Sequence, residues 1–298
     1  MENKPLSLLW LRRDLRLHDH AALATALGTA GEIQPVFVFD TDILERFSNP
    51  EDRRLTFIAH VLAGLDAQLR TRGGGLLVLH GSAAEILPKL AIALGAGRVV
   101  ASEDYEPAAI QRDATVGKAL SGATLKLVKD HVIHAPRDVL KDDGTPYKVF
   151  TPYSRAWHQA LNPVSAAPHE VKDKGRYADA QGNMRKARAA GLTVLDASDA
   201  PGMLKAVGYK EADISLWPVG AGEKRLQEFI AKQVKTYVRT RDIMGQEGTS
   251  RLSPYLRFGL VSIRECLRLA QEAGGDATWI KELIWREFYA MILHHYPE

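Results

Sequence analysis

Five short, nearly unbroken apolar runs punctuate the first 130 residues: Leu8–Leu11, Val36–Phe39, Leu76–Leu79, Val99–Ala101 and Leu125–Val128. Runs of this length without polar alternation are the pattern of strands covered on both faces, and hence of a parallel sheet. The stretches between them carry helical spacing. His20–Leu27 is rich in Ala and Leu, and Arg54–Arg72 sets Leu55, Ile58, Leu62, Leu65 and Leu69 on one stripe. Ser82-Ala-Ala-Glu85 reads as a capping box opening a helix over Ile86–Leu94, and Glu106–Leu120 is a fourth helix. Strand and helix in alternation predict a doubly wound α/β, Rossmann-like domain over residues 1–135. The first strand is followed by Arg12-Arg13-Asp14-Leu15-Arg16 instead of a glycine-rich turn. Gly73-Gly74-Gly75 precedes its strand, so a dinucleotide site is not expected and the triplet reads as a flexible connection.

The pattern then changes. Residues 136–217 read as a connector, with short helices at Pro136–Lys141 and Ala156–Leu161. From Asn162 to Ser215 apolar residues are sparse, which predicts chain lying over a surface instead of a packed unit. Residues 218–298 are purely helical: Glu223–Tyr237, a helix with Ser253 as N-cap and Pro254 at N1, a capping box Ser262-Ile-Arg-Glu265 opening a helix to Glu272, and a last helix from near Asp276. The one cysteine, Cys266, excludes an intrachain disulfide and a cysteine-based zinc site. No run of 18 apolar residues occurs, so no membrane span is expected. The N-terminal apolar run is interrupted by Arg12 and Arg13, too soon for a signal sequence, and a cytoplasmic location is the expectation. A net charge of +3 permits a nucleic-acid partner without requiring one.

Two places could carry chemistry. Gly248-Thr249-Ser250-Arg251-Leu252-Ser253 puts three hydroxyls and an arginine ahead of a helix, a setting that suits phosphate but also suits any polar helix entry. In the last helix Trp279, Glu282, Arg286 and Tyr289 fall within roughly 80° of one another, with Trp285 at the edge. The opposite arc holds Ile280, Ile284, Phe288, Met291 and Ile292. Glu282 and Arg286 are four apart, so an i,i+4 ion pair and a ligand pocket both remain open. His294-His295 is not a metal motif, and no metal site is expected.

Four ordered stretches resemble the cryptochrome/photolyase family, and most closely the bacterial class I cyclobutane pyrimidine dimer photolyases. They are Trp10-Leu-Arg-Arg-Asp-Leu-Arg-Leu17 with His20-Ala-Ala-Leu23, Thr145-Pro-Tyr-Lys-Val-Phe-Thr-Pro-Tyr153 with Trp157, Tyr237…Arg241-Asp242…Glu247-Gly-Thr-Ser-Arg-Leu-Ser253, and Trp279…Glu282-Leu-Ile-Trp-Arg-Glu-Phe-Tyr289. The resemblance implies an α/β antenna domain, a long connector, and the incomplete start of an all-α FAD-binding domain. By resemblance, Tyr237, Thr249, Ser250, Leu252 and Ser253 contact the flavin nucleotide, and Trp279, Glu282 and Arg286 line the cavity shared by FAD and the lesion. Trp285 would stack on the flipped-out dimer, Glu282 would bond its base edge, and Arg241 would face DNA. The implied activity is light-driven repair of cyclobutane dimers, with ultraviolet-damaged DNA as partner and no obligate protein partner. A cryptochrome-like photoreceptor, or a fragment folding only its α/β domain without flavin, are the alternatives.

Two departures qualify this resemblance. Ala108 and Ala109 stand where folate-binding members carry polar antenna ligands, which disfavours folate and leaves a deazaflavin, a flavin or no second chromophore. Family members also continue well past residue 298. The chain as given is therefore expected to be C-terminally truncated, to lack stoichiometric FAD, to be inactive by itself, and to expose apolar surface along Ile280–Ile292.

Overall fold

The computed structural model describes residues 5–173, 175–275 and 277–297. In chain order the elements are β1 (Leu6–Leu11), α1 (Ala21–Leu27), β2 (Glu32–Asp40), α2 (Thr41–Leu44), α3 (Arg53–Thr71), β3 (Leu77–Gly81), α4 (Ala83–Leu94), β4 (Ala96–Ser102), α5 (Pro107–Ala119) and β5 (Thr124–Val128). They continue with α6 (Phe150–Ala160), α7 (Ala180–Ala189), β6 (Thr193–Leu195), α8 (Ala200–Ala206), α9 (Gly222–Lys232), α10 (Tyr237–Thr240), α11 (Ser253–Arg257), α12 (Ile263–Glu272) and α13 (Ala277–His295). They divide into two units.

The first unit comprises the residues up to Glu103, Gln111–Val128 and His169–Gly220. Its sheet has the order β5-β4-β1-β2-β3-β6. The first five strands are parallel and β6 runs antiparallel to β3. Alternate residues of the central strands, Leu8, Trp10, Val36, Val38, Leu77, Leu79, Val99 and Ala101, share one core with Ile86, Leu87 and Leu90 of α4 and Met184 and Ala187 of α7. The intervening residues Leu9, Leu11, Phe37 and Phe39 are buried as well. Double-sided burial is why these strands read as continuous apolar runs.

Three local expectations are corrected here. The stretch from Asn162 to Ser215 is not bare connector: α7, β6 and α8 pack into this unit, and Tyr177 bridges to Ile33. Its buried face is built from Ala180, Asn183, Met184 and Ala187, a helical stripe of small or polar residues that apolar counting overlooks. Asn183 Nδ2 donates to Gln34 Oε1 at 3.0 Å, and Gln34 Nε2 donates to the Gly75 carbonyl at 3.0 Å, so the polar members are satisfied. The glycine triplet is a close-approach site. Gly73 has φ +79°, and a Cβ on Gly74 or Gly75 would stand 2.7 Å from Tyr177 Cβ or 2.8 Å from Ala180 Cβ. Ser82 is the N-cap of α4 but its side chain makes no cap hydrogen bond; its hydroxyl donates to Asp42 at 3.4 Å.

The second unit comprises Asp104–Ile110, Lys129–Pro168 and the residues from Ala221 onward. It is assembled around the buried carboxylate of Glu287 on α13. Glu287 accepts hydrogen bonds from the backbone amides of Ile133 and His134, the latter at 3.1 Å, and from Trp157 Nε1 at 2.6 Å. Burial pushes its pKa up, while these three donors oppose that shift. The same segment is held from two more directions. Arg264 of α12 donates to the Asp130 carbonyl at 2.7 Å and to its carboxylate at 3.0 Å, and Arg286 of α13 donates to the His131 carbonyl.

Helix boundaries in this unit differ from the sequence reading. No helix forms over residues 136–141, and α6 begins at Phe150. The helix expected over Glu223–Tyr237 breaks at Gln233 into α9, a 3₁₀ turn at Val234–Thr236 and α10. The tight turn lets buried Val234 sit beneath Gly275, where a Cβ would meet Val234 Cγ2 at 2.7 Å. Leu252, not Ser253, is the N-cap of α11, which spans only five residues. Asp276, where the sequence starts the last helix, lies outside the described residues. The apolar arc of that helix is largely covered: Ile284, Phe288 and Met291 are buried. The helix's exposed large apolar residues are Tyr289, 63% accessible, and Leu293, 38%, both away from that arc.

Glu287→Gln keeps the shape but turns an amide N–H toward groups that are all donors. Leaving at least one buried donor unmatched is expected to cost about 2 kcal/mol in urea unfolding followed by tryptophan fluorescence. A change below about 0.5 kcal/mol would remove Glu287 from its central place.

Candidate functional site

The short helix α10 connects the two stretches singled out in the sequence. On one side, Gly248 is buried against it: a Cβ at Gly248 would lie 2.3 Å from the Thr240 carbonyl oxygen, so only glycine allows the loop this close. On the other, Arg241 at the C-cap of α10 forms an ion pair with Glu282 of α13. The structure therefore brings the 247–253 loop, Tyr237, Arg241 and Glu282 into one neighbourhood.

Within it the side chains divide by environment. Tyr237 and Trp279 are buried and both pack on Phe229, with centroids 5.9 and 5.0 Å apart. Burial, reinforced by the nearby Glu282 charge, raises the Tyr237 pKa, so the phenol stays protonated. Leu252 is also buried. Thr249 and Ser253 are exposed and Ser250 is half-buried. Arg251 takes a left-handed φ of +50° and pairs with exposed Glu247 at 3.3 Å. The phosphate reading of this loop rests on its hydroxyls alone, because a five-residue helix has little aligned dipole.

The two charged residues of the α13 face do not pair with each other. Glu282 goes to Arg241, which also reaches Asp242 at 3.3 Å and lies over the Tyr237 ring at 5.6 Å; Arg286 goes to the His131 carbonyl. The Arg241 and Glu282 side chains are 32% and 38% exposed, so water screens their attraction. Trp285 is half-buried and ringed by aromatics: Phe150 stacks on it at 3.7 Å and 4°, Tyr289 at 5.5 Å and 26°, and Phe288 meets it edge-on at 5.5 Å.

Sequence reasoning missed Glu287 and Phe150. Both lie inside motifs that were read, but a lone glutamate on a helix and a lone phenylalanine carry no signal of burial or stacking. Ala108 and Ala109, in the first turn of α5, present only methyl groups, one exposed and one buried. Among the described residues no group of three or more metal-binding side chains occurs, and no helix is long and apolar enough to cross a membrane.

The family model of DNA photolyase matches residues 7–172. The chain belongs to the DNA photolyase family. A deoxyribodipyrimidine photo-lyase of Synechococcus sp. is 32% identical over 97% of this chain, which spans 60% of that relative's length. Another relative, a 31.6 kDa Synechococcus protein of uncharacterised role, is 31% identical, and the chain covers 99% of it. Among solved structures, a class III photolyase from Agrobacterium tumefaciens is similar over the whole chain and 60% of its own length, with a TM-score of 0.76 and 26% identity. The doubly wound sheet, parallel except for β6, thus matches the N-terminal α/β domain of the photolyase family.

The Arg241–Glu282 pair gives a quantitative check on how open this photolyase face is. A double-mutant cycle with Arg241→Met and Glu282→Gln is expected to return a coupling below about 1 kcal/mol that shrinks with added salt. Coupling of several kcal/mol, insensitive to salt, would mean that the pair is desolvated and the face closed.

Proposed function

We propose that this chain carries part of the site of a light-driven, FAD-dependent enzyme that repairs cyclobutane pyrimidine dimers in DNA. The observation that carries the reading is the convergence on α10 of the Gly248–Ser253 hydroxyl loop and the open Glu282–Trp285 face of α13.

FAD fits this residue set in part. The hydroxyls of Thr249, Ser250 and Ser253 make no hydrogen bonds among the described residues and suit phosphate oxygens. Tyr237, Leu252 and Trp279 are committed to the core behind them, and would support a bound flavin nucleotide instead of enclosing it. Glu282 and Arg286 complete the set assigned to the shared cavity. Reduced FAD, when bound, would supply electron transfer driven by blue or near-ultraviolet light.

The chain's own residues have distinct tasks in this reading. Trp285 offers an indole to a base drawn out of the duplex, since a dimer inside the stack is out of reach. Glu282, an acceptor when ionised, takes a hydrogen bond from the base edge. Arg241 exchanges its weak pair with Glu282 for a DNA phosphate, which both anchors the backbone and frees the carboxylate. DNA binding should then weaken with salt. The expected setting is cytoplasmic. For a second chromophore, if one is used, folate is disfavoured, because the side chains of Ala108 and Ala109 offer it no hydrogen bond.

The test is to purify the 298-residue chain, measure flavin absorbance, then add saturating reduced FAD and a thymine-dimer oligonucleotide under blue light. Less than one flavin per chain and no repair are expected as purified. Any light-dependent restoration that added FAD brings should be lowered at least tenfold by Trp285→Ala or Glu282→Ala. Flavin uptake with no restoration would favour the photoreceptor alternative, and no uptake at all would favour a fragment without flavin.

A further inference from the structure

One closely stacked aromatic pair has no role in the site described above. Phe150, the first residue of α6, lies face to face with Trp285 at 3.7 Å between centroids and 4° between planes. Phe150 is not a loose side chain resting on an open ring. Its edge meets buried Phe288 at 5.8 Å, and Phe288 in turn meets Trp285 at 5.5 Å and Tyr153 at 5.2 Å. The helix that bears it is anchored two turns later, where Trp157 donates to Glu287, the residue two positions after Trp285. Phe150 and Trp285 are therefore fixed to one another through a closed circuit: Phe150 to Trp157 along α6, Trp157 to Glu287 by a hydrogen bond, and Glu287 to Trp285 along α13.

We propose that Phe150 is a positioning residue that backs the Trp285 indole and, with Tyr289 stacked on the same ring at 5.5 Å and 26°, holds it in one rotamer whose solvent-accessible part is presented to a flipped-out base. This rests on the reading of Trp285 as the base-stacking residue. The physical reason is entropic. A tryptophan free to sample several rotamers on an exposed helix face must be immobilised when a base binds, and that ordering subtracts from affinity. A ring already stacked from behind has that cost met on folding, so base binding keeps more of its stacking energy. Aromatic pairs in offset or edge-on arrangements contribute about 0.5–1.5 kcal/mol beyond burial, so this nearly face-to-face pair sets an upper bound of roughly a 13-fold effect on binding.

Two measurements on the 298-residue chain test this. The first reads position without DNA: fluorine NMR of protein labelled with 5-fluorotryptophan, the Trp285 line being assigned with Trp285→Phe. Wild type should give one narrow, ring-current-shifted line; Phe150→Leu should move and broaden it, and Phe150→Tyr should restore it. An unchanged line in Phe150→Leu overturns the proposal. The second reads consequence: binding of single-stranded oligonucleotides with and without a thymine dimer. Phe150→Leu should lower the preference for the dimer about 3- to 10-fold with little change for undamaged DNA, and should add nothing in a Trp285→Ala background. Tighter dimer binding by Phe150→Leu would show that Phe150 obstructs the indole, and additive losses would show that it acts apart from Trp285; either result overturns the proposal. If Trp285→Ala itself leaves dimer preference intact, or no dimer preference exists, the stacking reading of Trp285 fails, and the claim that Phe150 prepares it for a base fails with it.

Discussion

Burying one carboxylate organises the helical unit. An ionised group taken out of water costs several kcal/mol unless its oxygens are met by donors. Glu287 is met by three, two of which are backbone amides of a segment with no regular structure to satisfy them. The interaction therefore solves two problems together: it compensates a buried charge and it pairs buried peptide groups that would otherwise be orphaned. It also joins α13, α6 and the Ile133–His134 backbone at one point. Removing the carboxylate leaves all three donors unsatisfied, which makes the arrangement cooperative.

Fixing Glu287 inward decides what the rest of α13 shows. At 100° per residue, Glu282, Trp285 and Tyr289 lie about 140° to 160° around the helix from Glu287. Those residues are half-buried or exposed, while Ile284, Phe288 and Met291 share the inner side. The site face is thus a geometric consequence of the buried glutamate. Arg264 with Asp130, and Arg286 with the His131 carbonyl, brace the same segment, so charged residues and not apolar packing alone set its path. Burial also depresses the pKa of His134, keeping a neutral imidazole edge-on against Trp157 in this polar knot.

The sheet was legible because double-sided burial writes itself as apolar runs: β1, β2 and β4 contain the runs that marked them and β3 all but Leu76, while the edge strand β5 coincides with its run although it is only partly buried. The residues after 175 were not, because α7 packs through alanines, a methionine and a satisfied asparagine. The glycine triplet looked like a flexible link because the sequence does not show Tyr177 and Ala180 arriving against it. In the site, types and order were readable but pairings were not. The i,i+4 spacing of Glu282 and Arg286 offered a local pair, and tertiary structure supplied Arg241 and the His131 carbonyl instead. Long-range partners of charged residues leave no periodic trace, and this is also why Glu287 went unremarked.

The Glu287 carboxylate holds the Ile133 and His134 amides as part of the folded unit. Native-state hydrogen exchange of those two amides measures this directly. They should exchange only through the opening that also releases the middle of α13, with matching free energies. Exchange at the rate of an exposed loop, orders of magnitude faster than α13, would contradict it.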